Sequence, residues 1–114
     1  MTMALKPWIG VDLDGTLAKY EGWQGIDHIG DPIQPMLERV KGWLADGIKV
    51  KIFTARASEP DAEALKAVIS YIEDWCEEHV GQKLEVTCKK DFAMTDLYDD
   101  RCHRVEANTG RVLA

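Results

Sequence analysis

Trp8-Ile9-Gly10-Val11-Asp12-Leu13-Asp14-Gly15-Thr16-Leu17 is the stretch on which the reading of this chain turns. Trp8 to Val11 is apolar and reads as a buried strand. It ends abruptly in two carboxylates one residue apart, followed by Gly-Thr. Like charges at the end of a buried strand are costly unless something compensates them. A divalent cation such as Mg²⁺ does so, because it takes hard oxygen ligands. Open α/β sheets bind their ligands at the carboxyl ends of the strands, which is where this pair falls.

The spacing suggests a division of labour. Side chains alternate along a strand, so positions 12 and 14 start on one face. Gly15 lets the chain turn away sharply. One carboxylate can then serve as nucleophile and metal ligand, and the other as general acid and base. A calcium loop also opens with D-x-D-G, but it requires an acidic residue at its twelfth position. Counting from Asp12, that position is Trp23.

The 114 residues suffice for one core and are too few for two ordinary domains, so residues 1–114 are read as a single domain. Hydrophobic residues make up 46% of the chain, as in globular proteins. No apolar run approaches the ~20 residues of a membrane span. Met1-Thr2-Met3-Ala4-Leu5-Lys6 lacks the apolar core of a secretory signal. Cys76, Cys88 and Cys102 are odd in number and form no C-x-x-C, which points to a reducing cytoplasm. A net charge of −6 argues against non-specific nucleic-acid binding. It leaves room for a phosphorylated substrate, because a metal and a few placed cations reverse the potential locally.

Along the chain the first strand runs from about Trp8 to Asp12. Residues 18–35, rich in Gly, Asp and Pro, read as a loop or short hairpin. Met36, Leu37, Val40, Trp43 and Leu44 then share a helix face that Asp46-Gly47 closes. Ile48 to Phe53 is a second strand, with Lys49 and Lys51 alternating against apolar residues. Ser58-Glu59-Pro60-Asp61 reads as the start of a long amphipathic helix that ends near Gly81. Leu84 to Cys88 is a short third strand, and Leu97-Tyr98 a very short fourth. Val105 and Val112 flank Asn108-Thr109-Gly110 as a terminal hairpin or turn. The alternation predicts an α/β fold, a parallel sheet with helices on its faces.

Each later strand also ends in residues suited to phosphate or metal. Thr54 closes the second strand, Lys89-Lys90 the third and Asp99-Asp100 the fourth. In a parallel sheet these ends converge on one edge, an inventory that fits Mg²⁺-assisted phosphoryl transfer. Singly, each has a plainer reading: Thr54 caps a turn, the lysines are a solvated pair, and Asp99-Asp100-Arg101 is a surface ion cluster.

With these residues in order, the chain resembles the haloacid dehalogenase superfamily of phosphohydrolases from Trp8 to about Arg104. Asp12-Leu13-Asp14-Gly15-Thr16 matches its D-x-D-G-T motif in full. Thr54 matches the second motif, and Asp99-Asp100 the acidic fourth. The lysine of the third motif is Lys90 or Lys89. Lys90-Asp91-Phe92 is similar to the lysine context of small phage and capsule-locus members, as is the run from Asp99 to Gly110.

The resemblance implies a Rossmann-like core and a Mg²⁺-dependent phosphomonoesterase. Asp12 would attack phosphorus and become an aspartyl-phosphate. Asp14 would protonate the leaving oxygen and then deprotonate water, while its carbonyl binds Mg²⁺. Asp99 and Asp100 would complete the metal site. Thr54 and Lys90 would hold phosphoryl oxygens, with Gly15, Thr16, Ala55 and Arg56 against the substrate. Asp14 supports hydrolysis, because members that transfer phosphate or lack phosphatase action often vary there.

Many members carry a cap domain, and the gaps here leave no room for one. There are 41 residues between Asp12 and Thr54, and 35 between Thr54 and Lys90. An open site suits a nucleic-acid end, a glycan, a phosphoprotein or a second subunit acting as cap. Tyr20, Trp23 and His28 follow the nucleophile, and the preferred reading packs Trp23 down onto the core. The other reading stacks these rings on a base or sugar. Arg56 touches a second substrate anion or pairs near Asp14. A catalytically idle binding module and a phosphotransferase are the two competing functions.

Overall fold

The computed structural model describes residues 6–114; the signal-peptide reading rests on residues 1–5, which lie outside them. Four strands, β1 (Trp8–Val11), β2 (Lys49–Phe53), β3 (Glu85–Thr87) and β4 (Met94–Tyr98), form one parallel sheet. Their order across the sheet is β3-β2-β1-β4. Helix α1 (Gln34–Ala45) joins β1 to β2, and α2 (Ala62–His79) joins β2 to β3.

The helix boundaries have local causes. Pro35 sits in the first turn of α1, where its missing N–H costs nothing. Past the end of α1, Gly47 N–H donates to the Leu44 carbonyl (3.1 Å) and Ile48 N–H to that of Trp43 (2.9 Å), closing the helix where Asp46-Gly47 predicts. Helix α2 begins at the end of the expected start signal: Asp61, not Ser58, is its cap, accepting from Ala64 N–H at 2.9 Å. Ser58 belongs instead to a separate 3-10 turn, Ala55–Ser58.

Both helices pack on one face of the sheet. Ile9, Val11, Val50 and Ile52 share a single core with Met36, Leu37 and Val40 of α1 and Val68, Ile72 and Cys76 of α2. Right-handed crossovers require this, since β1→β2 and β2→β3 step in the same direction. The return step, β3→β4, would bring a helix to the other face. Here it is only residues 88–93, an irregular strap, so the helices that flank the parallel sheet both lie on one face of it.

The strap is pinned under the middle of the sheet. Asp91 accepts a 2.8 Å hydrogen bond from the Trp8 indole N–H and lies 3.7 Å from Lys51 Nζ. Lys51 also pairs with Glu85 at 2.7 Å and sits over the Trp8 ring at 4.4 Å. The alkyl stem of a lysine can cover apolar surface while its charge stays solvated. These contacts leave Trp8 only 1% exposed on a face with no helix. The indole bond holds the Asp91 carboxyl below its ordinary range, and Lys51 does the same for Glu85. Asp91→Ala is therefore expected to lower the urea midpoint, because it strands a buried indole N–H. The slope of the transition should not change, since the same surface is exposed on unfolding.

At the C-terminal side, an antiparallel bridge between Val105 and Val112 closes the expected turn. Cys76, Cys88 and Cys102 are all free thiols, and burial pushes the Cys76 thiol up to about 12. No helix among the described residues is long and apolar enough to cross a membrane.

Candidate active site

Asp12 follows β1 directly, its N–H extending the ladder to the Tyr98 carbonyl at 2.9 Å. The chain then folds back tightly. The carbonyl of fully buried Leu13 accepts from the N–H groups of Thr16, Leu17 and Ala18, and Gly15 N–H donates to the Ala18 carbonyl. Gly15 adopts φ +89°, and a Cβ on it would lie 2.6 Å from an Asp100 carboxylate oxygen. The D-x-D-G-T turn is thus pressed against the loop after β4.

Thr16 fastens the two together. Its hydroxyl donates to Asp100 Oδ1 (3.0 Å) and accepts from the Asp100 backbone N–H (3.0 Å). Asp12 Oδ2 lies 3.5 Å from the same hydroxyl. Asp99 is held by the Arg101 N–H, which donates to its Oδ1 at 2.8 Å. Asp12, Asp99 and Asp100 each offer an oxygen within 4.8 Å of the others. That donor set, three carboxylates and no softer ligand, fits a hard divalent cation.

Electrostatics mark Asp12 within the cluster. Burial, a hydrogen bond to Asp100 and the charges of Asp99 and Asp100 push its carboxyl up to about 7. Asp100 moves the other way. Its partial burial opposes ionisation, but hydrogen bonds from Asp12 and Thr16 hold it low. A carboxyl raised this far is partly protonated near neutral pH, and a bound cation would displace that proton.

Asp14 faces a different partner. Arg56 grips it bidentately, Nε to Oδ2 at 2.7 Å and Nη2 to Oδ1 at 2.8 Å. The guanidinium also donates to the His28 carbonyl at 3.0 Å and lies 4.9 Å from the Trp23 ring centre. The Arg56 side chain is only 7% exposed, and its Nη1 is buried without a partner among the described residues. Thr54 is 2% exposed and extends the β2–β3 ladder through its N–H. Its hydroxyl accepts from Arg56 N–H at 3.2 Å, capping the 3-10 turn that presents Ala55 and Arg56.

These residues line an open cleft of about 780 Å³ at the carboxyl edge of the sheet. It brings together Asp12, Asp14, Thr54, Ala55, Arg56 and Asp99. Gly15, Thr16 and Asp100 support it from behind through the bonds above. It does not include Lys89 or Lys90. Both are exposed, neither pairs with an acidic group among the described residues, and neither lines the cleft. The chain leaves β3 for the strap at Cys88, carrying both lysines out to solvent. The structure thus does not bring Lys90, or Lys89, to Asp12 or to the place the resemblance assigns to the phosphoryl oxygens. The Asp14 carboxylate is held by Arg56 and stands outside the acidic cluster, which leaves its backbone carbonyl as the atom the resemblance assigns to the metal.

Other lining residues escape the sequence reading. Arg101 stands beside Asp99 in the cleft wall, so the cations at the site are arginines. Its only signal is its place directly after the acidic pair. Trp23 is 58% exposed over Arg56, which overturns the preferred reading of it as packed onto the core. Gly15→Ala should cost about 1–2 kcal/mol from its backbone conformation alone. By displacing Asp100 it should also weaken Mg²⁺ binding, read as a smaller thermal shift on adding Mg²⁺.

The fold and the site together define a parallel α/β protein with an acidic cluster at the carboxyl edge of its sheet. Searches of protein-family models, of curated proteins and of solved structures each find no match for the chain.

Proposed function

We propose that this protein is a Mg²⁺-dependent phosphomonoesterase of haloacid dehalogenase type, without a cap domain, acting through an aspartyl-phosphate on Asp12. The observation that carries the reading is the separation of its two motif carboxylates. Asp12 lies in the acidic cluster, and Asp14, two residues on, is oriented independently by Arg56. Two carboxylates in contrasting surroundings are what a nucleophile and an acid/base require.

Asp12, Asp99 and Asp100 would hold the cation, with the Asp14 carbonyl as the further ligand the resemblance implies. When bound, Mg²⁺ would neutralise charge on the phosphoryl group and keep Asp12 deprotonated. In the first step an Asp12 oxygen bonds to phosphorus as the ester P–O bond breaks. The departing oxygen would take a proton from Asp14, which accepts from Arg56 on both oxygens here and must exchange one of those bonds for a proton before the step. In the second, Asp14 takes a proton from water, whose oxygen bonds to phosphorus as the P–O bond to Asp12 breaks. The Thr54 hydroxyl and the Arg56 guanidinium are the donors available to the phosphoryl oxygens.

The test is phosphate release from p-nitrophenyl phosphate, nucleotides, sugar phosphates and phosphorylated oligonucleotides, with Mg²⁺ and with EDTA. The expected result is release that requires Mg²⁺. Release that appears only when an acceptor alcohol is added would replace hydrolysis by phosphotransfer. No release from folded, Mg²⁺-binding protein would replace it by an idle binding module.

A further inference from the structure

The cleft is larger than a phosphoryl group and a cation need, falling in the range of sites for whole small molecules. One side of its remaining wall is aromatic and apolar: Tyr20, Trp23 and Ile26, all on the loop between Ala18 and Pro32. That loop is clamped at its base, where Lys19 N–H donates to the Asp31 carbonyl and Ile33 N–H to the Leu17 carbonyl, both at 2.8 Å. The Trp75 indole N–H ties it to α2 through the Gly30 carbonyl at 3.0 Å. Trp23 is thus an exposed ring on an anchored loop.

Its seat is unusual for an exposed tryptophan. One side rests on the Arg56 guanidinium, which is itself locked onto Asp14 and the His28 carbonyl. A cation against an indole face is an attractive contact and holds the ring in place. Trp23 also lines the cleft. Placed rings of this kind bind flat π-systems, because stacking needs area and a fixed plane. Through Arg56, the plane of Trp23 is tied to the carboxylate that would protonate the leaving group.

We infer that the leaving group is an aromatic nucleoside, whose base stacks on Trp23 while its phosphate lies at Asp12. The inference rests on the phosphomonoesterase reading for its geometry. Arg101, on the wall beside Asp99, is placed to meet a further phosphate, so a mononucleotide and an oligonucleotide end share the stacking surface and differ there.

The test compares kcat/KM for adenosine monophosphate, a 5′-phosphorylated oligonucleotide, glucose 6-phosphate and glycerol phosphate. Trp23→Ala should lose on the order of 10- to 100-fold on both nucleotide substrates. The loss on glycerol phosphate, which has nothing to stack, should be at least about tenfold smaller. Trp23→Phe, which keeps a ring, should recover most of the loss. An Arg101→Ala defect confined to the oligonucleotide would identify the nucleic-acid end as the source of the nucleoside. Equal losses on all substrates, or a loss confined to glucose 6-phosphate, would overturn the inference. A binding measurement keeps it separate from the chemistry. Adenosine, which has no phosphate, should quench tryptophan fluorescence of the native protein and not of Trp23→Ala. Quenching without hydrolysis of any substrate would overturn the phosphatase reading and leave the nucleoside site standing. Hydrolysis without quenching would do the reverse.

Discussion

Asp12→Asn is expected to give an inactive protein that is more stable than the native one. The carboxyl of Asp12 rises from 3.8 to about 7 on folding, chiefly because it is buried beside Asp99 and Asp100. A folded-state acid that holds its proton more tightly than the unfolded chain loses stability as pH rises from 3.8 to 7. Above that window the native protein bears the full penalty, and below it none. At about 1.4 kcal/mol per unit, discounted because the group is only half-buried, the penalty is on the order of 2 kcal/mol. Asparagine carries no charge and avoids it. In EDTA, thermal unfolding should show the variant higher by roughly 5–10 °C at pH 8. The gap should close towards pH 4. Mg²⁺ should raise the midpoint of the native protein and leave that of the variant nearly unmoved. Catalysis, by contrast, should fall by about three orders of magnitude or more, as for loss of a nucleophile elsewhere. An equal gap at every pH would show that the gain comes from packing rather than from charge.

Arg56→Lys should reduce kcat by roughly 10²–10⁴-fold, the range for a misplaced general acid/base. Lysine keeps the charge but cannot make the two parallel bonds that fix the plane of the Asp14 carboxylate. Glycerol phosphate is the informative substrate, because it has no ring to stack on Trp23. On it the defect should fall on kcat and leave Mg²⁺ affinity unchanged, since Asp14 contributes no carboxylate oxygen to the cluster. A parallel loss of Mg²⁺ affinity would place Arg56 in the support of the metal site instead.

The parts of this protein legible in its sequence are those fixed by neighbours in the chain. The run from Trp8 to Thr16 contains a strand, a turn and a carboxylate pair whose meaning depends on nothing distant. Gly47 and Asp61 close and open helices by local hydrogen bonds. The face of the sheet that carries no helix was written less plainly. Lys49 and Lys51 alternate with Val50 and Ile52, the pattern of a strand covered on one face. Parallel strands buried on both faces read as continuous apolar runs, so this alternation carries the information that one side lacks a helix.

What the sequence does not disclose is set by contacts between distant residues. Trp23 is a large apolar residue, and its type favours burial. Its position is decided by Arg56, 33 positions away, and that pairing leaves no trace in local pattern. Lys90 stands in a sequence context similar to that of a catalytic lysine. Which way it points depends on how the strap leaves β3, and the strap's course is fixed by Asp91 under Trp8 and Lys51. Arg101 is written plainly beside Asp99, but only the loop after β4 turns it into a cleft wall.

The central claim is that Asp12 is the nucleophile, and mass spectrometry of acid-quenched turnover tests it most directly. Native protein mixed with Mg²⁺ and a good substrate should gain the mass of one phosphoryl group, on the peptide containing Asp12. The adduct should be absent in EDTA and in Asp12→Asn. Steady hydrolysis with no adduct on that peptide, or with an adduct on another residue, would contradict the account.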